Sequence, residues 1–121
     1  MAGQPFRRAV AYKVSVGTVL QSRFIRREGW DPSFLEGPEG MEISRVNVLG
    51  AITQTLETAQ GVPYLVLADH TGSIELRDFS EEQKFKGVAV GDMVSVIGRP
   101  RLFNEQRYLQ VEIIKRLDDP R

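Results

Sequence analysis

The sequence predicts an all-β fold, a small closed barrel of five strands, and three observations predict it. Alternating apolar segments recur through the last two-thirds of the chain, each bounded by turn residues. Glycines interrupt the first and fourth of these segments, at Gly50 and Gly98, where a bulge would bend a long strand. A short stretch with helix-start chemistry falls between the third and fourth segments. Mid-strand glycines let a sheet curl until its edges meet. A helix in that position fits a five-stranded Greek-key OB-fold barrel better than an SH3-like one.

The elements follow in order. Residues 1–41 form an arm that is expected to pack on the barrel. Within it, Val14 to Phe24 carries Val14, Val16 and Leu20 and reads as a helical turn followed by a strand. Glu28-Gly29-Trp30-Asp31-Pro32 is turn chemistry, and Gly37-Pro38-Glu39-Gly40 is a loop. Trp30, Phe34 and Leu35 are the residues expected to hold the arm down. Residues 42–121 form the barrel. Its first strand, Glu42 to Leu56, carries Ile43, Val46, Val48 and Ile52. Ala59-Gln60-Gly61 closes a loop into the second strand, Tyr64 to Asp69, and Thr71-Gly72 turns into the third, Ile74 to Phe79. Ser80 has N-cap chemistry, with Glu81 and Glu82 in the first turn of a helix through about Lys86. Gly91-Asp92 opens the fourth strand, Met93 to Phe103. Asn104-Glu105-Gln106 leads into the fifth, Arg107 to Leu117.

Composition bounds the function. The 121 residues make one domain, 41% hydrophobic and 26% charged, as in an ordinary globular protein. Lys+Arg and Asp+Glu both number 16, which argues against binding nucleic acid through a diffuse positive field but permits a local basic stripe. With no cysteine, disulfides and thiolate chemistry are excluded, and a reducing compartment is expected. No apolar run approaches a membrane span and the N-terminus lacks a signal core, so the expectation is an intracellular protein of the cytoplasm or nucleoid, without membrane partners. No acid/base pair, metal-ligand spacing or Gly-rich phosphate loop is legible. The expectation is a non-enzyme without cofactor or small-molecule substrate.

The run from Leu65 to Phe79 is the most informative part of the chain. Period-two alternation sends Leu65, Leu67, Ile74 and Leu76 to one face and Tyr64, Val66, Glu75, Arg77 and Phe79 to the other. An aliphatic face backed by a cation and an aromatic suits a polymer with a negative backbone and flat bases. Phe79 and Phe103 are the candidate stacking residues. Arg99, Arg101 and Arg107 bracket the loop between strands four and five as candidate phosphate contacts. Arg77 either joins them or pairs with Glu75 or Asp78. Tyr64 and Tyr108 line the groove or close the barrel rim. Arg45 and Lys84 read as surface, His70 as a turn residue, and Asp69 as an acceptor of backbone hydrogen bonds across its turn.

Tyr64 to Phe79, followed by Gly91-Asp92-x-Val94-x-Val96-Ile97-Gly98-Arg99 and Phe103, resembles the central OB domain of the replication protein A middle subunit, the archaeal version in particular. Phe24-x-x-x-Glu28-Gly29-x-x-Pro32-x-Phe34-Leu35 resembles the segment that precedes the barrel there, so the likeness spans Val14 to Asp118. The Asp-x-Thr-Gly turn and Gly-Asp strand opening also occur in anticodon-binding OB domains of tRNA synthetases. The resemblance implies base stacking on Phe79, where eukaryotic relatives have a larger Trp, and on Phe103. It also implies other OB-fold subunits as partners in a hetero-oligomer. Family members continue into a helix that assembles a heterotrimer. This chain stops at Leu117-Asp118-Asp119-Pro120-Arg121, almost at the end of strand five, so the resemblance leaves assembly through such a helix open. The function expected is largely sequence-independent binding of single-stranded DNA in replication or repair. The alternatives are an OB-fold interaction subunit with little DNA affinity of its own, or a tRNA-binding OB domain.

Overall fold

The computed structural model describes residues 10–27 and 33–117. Trp30 and the turn assigned to residues 28–32 lie outside the described residues.

Five strands close the barrel: β5 (Arg45–Glu57), β6 (Pro63–Asp69), β7 (Gly72–Arg77), β8 (Met93–Phe103) and β9 (Gln106–Arg116). Their order is β5-β6-β7-β9-β8, and β8 pairs back onto β5. Only β7 and β9 run parallel among these five, with Glu75 opposite Tyr108. The length of β5 makes closure possible. Its first half pairs with β8 from Val46 to Ala51, and its second half pairs with β6 from Ala51 to Glu57. This is the five-stranded OB-fold barrel that the apolar periodicity predicts.

The two mid-strand glycines act by close approach. A Cβ on Gly50 would lie 2.5 Å from the Ala68 carbonyl oxygen, and one on Gly98 would lie 2.6 Å from that of Gln110. Gly98 adjoins a bulge, since Ile97 faces Ile113 while Gly98 faces Val111. The bulge expected at Gly50 lies further on, between Ile52 and Gln54. Gly50 instead stands at the point where β5 passes from β8 to β6, and three strands crowd together there.

The helix expected between the third and fourth barrel strands is not formed. Residues 78–92 make a succession of turns, with Gln83 at φ 56°. The Asp78 carboxylate takes over the local donors: it accepts from the Ser80 N–H at 2.9 Å, the Ser80 hydroxyl at 2.6 Å and the Lys84 N–H at 2.9 Å. Those bonds curl the chain around one side chain, and Gln83 in the left-handed region interrupts the helical repeat. Phe85 still drops into the core from this loop.

The short helix, α1 (Val16–Gln21), belongs to the arm, where a helical turn followed by a strand is expected. Ser15 caps it, accepting from the Thr18 N–H at 3.1 Å. Before it, β1 (Ala11–Lys13) adds to β5 in parallel. After it, β2 (Arg23–Ile25), β3 (Phe34–Glu36) and β4 (Glu42–Ile43) form a separate antiparallel sheet, so the barrel strand proper starts at Arg45. Val16, Val19, Leu35 and Ile43 join the barrel core with Leu65, Leu67, Ile74 and Leu76. The arm thus supplies part of the apolar interior.

Candidate functional site

Outward-facing residues of β6, β7, β9 and β8 form two cross-strand rows. One runs Tyr64, Arg77, Gln110, Arg99; the other runs Val66, Glu75, Tyr108, Arg101. Alternation sets both rows, because Leu65, Leu76, Leu109 and Pro100 between them are buried. Beyond the end of β7, Phe79 is 59% exposed, and Phe103 at the end of β8 is 67% exposed. Asn104 and Glu105, at φ 52° and 64°, form the two-residue tip that joins Phe103 to Gln106. Positive φ at both central residues matches the right-handed twist of the two strands.

Phe79, Phe103, Arg77, Tyr108 and Gln106 converge on one concavity of about 480 Å³. Its floor is a stack of π faces and a cation. The Arg77 guanidinium lies 5.0 Å from the Tyr64 ring centre and 5.5 Å from that of Tyr108. The ring of Phe79 meets Tyr108 edge-on, with centroids 6.0 Å apart. Arg77 also donates to Glu75 Oε1 from Nε at 3.1 Å and Nη2 at 2.7 Å. Of the alternatives open for Arg77, pairing with Glu75 is formed, and the two tyrosines hold the guanidinium in the groove.

The other arginines divide. Arg101 donates from Nε to Gln110 Oε1 at 2.8 Å, and Arg99 from Nε to Glu112 Oε2 at 3.1 Å, both on the outer face. Arg107 turns away. Its Nη1 donates to the Val19 carbonyl at 2.7 Å and to the Ser22 carbonyl, and its guanidinium lies 6.0 Å from the Phe24 ring. That guanidinium satisfies carbonyls at the C-terminal end of α1.

The Asp69-His70-Thr71-Gly72 turn is occupied by the same helix. Asp69 accepts from the Thr71 N–H at 2.7 Å, as an Asx turn does, and also from the Val16 N–H at 2.9 Å. The Gly17 N–H donates to the Thr71 hydroxyl oxygen at 2.7 Å. A Cβ on Gly17 would stand 2.9 Å from Thr71 Cβ, so glycine is what lets the helix seat there. Burial pushes the Asp69 carboxyl up, but the Thr71 and Val16 donors outweigh it and hold the pKa below the ordinary 3.8. Asp78 is held below 3.8 in the same way: burial opposes, and the Ser80 and Lys84 donors prevail.

Sequence reasoning misses four contributors. Arg45 and Lys84, expected at the surface, are half-buried beside Phe79 and Arg99, together with Glu112. Period-two alternation gives no warning of this, because the β8–β9 bulge and the Asp78 loop bring those residues together. Arg26 of the arm donates to the Leu102 carbonyl at 2.9 Å, next to Phe103.

No family model matches the chain. An uncharacterised protein of Methanocaldococcus jannaschii is 28% identical over 112 residues, which cover 93% of this chain and 43% of that protein. The chain therefore spans less than half the length of that relative. A chain of a replication protein A heterotrimer bound to single-stranded DNA matches with a TM-score of 0.70 at 16% identity, over 91% of this chain and 83% of that one. A chain of yeast replication protein A bound to single-stranded DNA matches with a TM-score of 0.69 at 23% identity, over 97% of this chain and 83% of that one. At these identities the likeness shows the shared OB fold.

Proposed function

We propose that this chain binds single-stranded DNA as an OB-fold subunit similar to the middle subunit of replication protein A, without catalysis. The carrying observation is the pair Phe79 and Phe103, both exposed on one concavity floored by Arg77 and Tyr108. Large exposed aromatics cost solvation free energy unless something covers them, and every base offers a face to stack on. Bases would rest on the two phenylalanines, and Arg77, Arg99 and Arg101 would meet phosphates. Tyr64 and Tyr108 keep the Arg77 guanidinium in the groove. Arg107 serves the helix α1 rather than the backbone of a ligand. The two replication protein A structures that share this fold are bound to single-stranded DNA, which supports the reading.

Zero net charge and arginines already paired with acids limit the affinity of the chain alone. Tethering to other OB subunits would restore it by raising effective concentration. The same charge balance favours the second reading, an interaction subunit that docks partners and scarcely touches DNA. Fluorescence anisotropy with labelled oligo-dT separates the two readings. The first predicts binding at low salt that weakens as salt rises; no binding at any salt leaves the second. Tighter binding of oligo-U of the same length would instead favour the tRNA-binding alternative.

A further inference from the structure

We propose that a second concavity, on the other side of Phe79, is a phosphate subsite built by Arg45, Arg99 and Lys84, and that Glu112 limits its occupancy. The inference rests on the single-stranded DNA reading and extends it to residues outside the stacking site.

Phe79 lines both concavities, so the second one, of about 510 Å³, adjoins any base stacked on that ring. Three cations from three separate elements meet there. Arg45 comes from β5 and Arg99 from β8, brought together because Val46 pairs with Gly98. Lys84 comes from the loop that Asp78 folds, and its Nζ lies 2.9 Å from the Ser80 hydroxyl oxygen and 2.9 Å from Glu82 Oε1.

Glu112 is the extra residue of the β8–β9 bulge, between Val111, which faces Gly98, and Ile113, which faces Ile97. Bulges re-aim side chains, and this one puts a carboxylate between two guanidiniums. Arg45 Nε donates to one oxygen at 2.8 Å and Arg99 Nε to the other at 3.1 Å. The carboxylate is itself half-exposed, with 32% of its side-chain surface open, so an incoming phosphate can compete with it.

The charges around the concavity cancel. Arg45, Lys84 and Arg99 face Asp78, Glu82 and Glu112. Asp78 is committed to loop amides, and the Glu82 side chain is 76% exposed. Glu112 bridges two of the three cations, so an incoming phosphate competes with it. Neutralising it without changing its shape makes the charge of the concavity one unit more positive.

The test is Glu112→Gln, compared with wild type by oligo-dT anisotropy across a salt series. The expected result is binding about threefold to tenfold tighter. The dependence of log K on log salt steepens by about 0.7 as Arg99 is released to a phosphate. Glu36→Gln removes the same charge from the arm sheet and should leave affinity unchanged; an equal gain there would make the effect one of net charge and overturn the proposal. Lys84→Gln leaves Glu112 in place and is an independent arm that does not depend on the first variant folding. It should weaken binding about threefold and flatten the salt dependence. Unchanged affinity in folded Glu112→Gln, or in Lys84→Gln, overturns the subsite while wild-type binding keeps the DNA reading. If neither wild type nor Glu112→Gln binds, both fall.

Discussion

The two ends of the β6–β7 hairpin use their side chains in opposite ways. At the turn end, Asp69, Thr71 and the nearby Arg107 are all directed inward to the arm, and their hydrogen bonds fasten α1 to the barrel. At the open end, Arg77 is held beside two tyrosine rings while Phe79 and, across the groove, Phe103 remain uncovered. At the turn end the polar groups are spent on joining the arm to the barrel. The contrast distinguishes a structural end from the proposed binding end.

The comparison breaks first, and with the largest effect, at the open end. Replacing both Phe79 and Phe103 by Ala should cost about 2–6 kcal/mol of single-strand binding, from about 1–3 kcal/mol per stacked base. Stability by urea denaturation should stay within about 0.5 kcal/mol of wild type, since neither ring is in the core. An unfolded double variant would make the two rings structural and erase the distinction.

At the turn end the expected effects exchange. Asp69→Ala leaves the Val16 and Thr71 amides without their acceptor and should cost about 2–3 kcal/mol of folding stability. The folded fraction should bind oligo-dT as before. The pH dependence follows from the sign of the shift. The folded-state pKa of Asp69 lies below its ordinary 3.8, so its contribution is complete above that value. It is lost as pH falls through the lowered pKa. The stability difference between wild type and Asp69→Asn, read from urea midpoints, should therefore shrink as pH falls below that range.

Arg107→Gln sharpens the comparison at a single residue type. It should cost about 1–2 kcal/mol of stability by removing donors to the Val19 and Ser22 carbonyls. The salt dependence of DNA binding should keep its slope, whereas Arg99→Gln should flatten it by about 0.7. Smallest of all, Glu105→Gly at the hairpin tip should stabilise by up to about 1 kcal/mol, because glycine adopts its φ of 64° without strain.

The barrel was legible because alternation is a local signal. Leu65, Leu67, Ile74 and Leu76 lie on the inner face, and Tyr64, Arg77 and Phe79 lie toward the groove, as period two requires. The exposure of Phe79 was legible for the same reason. What failed depended on side chains reaching across the sequence. Ser80 followed by two glutamates has the chemistry of a helix start, yet Asp78 captured the donors and the loop stayed non-helical. Arg107 belongs to a cluster of arginines in sequence, and only the placement of α1 shows that it faces the arm. Glu112 gave no signal, because its position follows from a bulge fixed by Gly98 on another strand.

Whether DNA lies at the open end is tested most directly by an amide chemical-shift titration with unlabelled oligo-dT. Shifts should concentrate at Arg77, Phe79, Arg99, Phe103 and Tyr108, with Val16 to Leu20 and Asp69 to Gly72 unmoved. Shifts gathered on the helix and its turn, or none at any point of the titration, would contradict it.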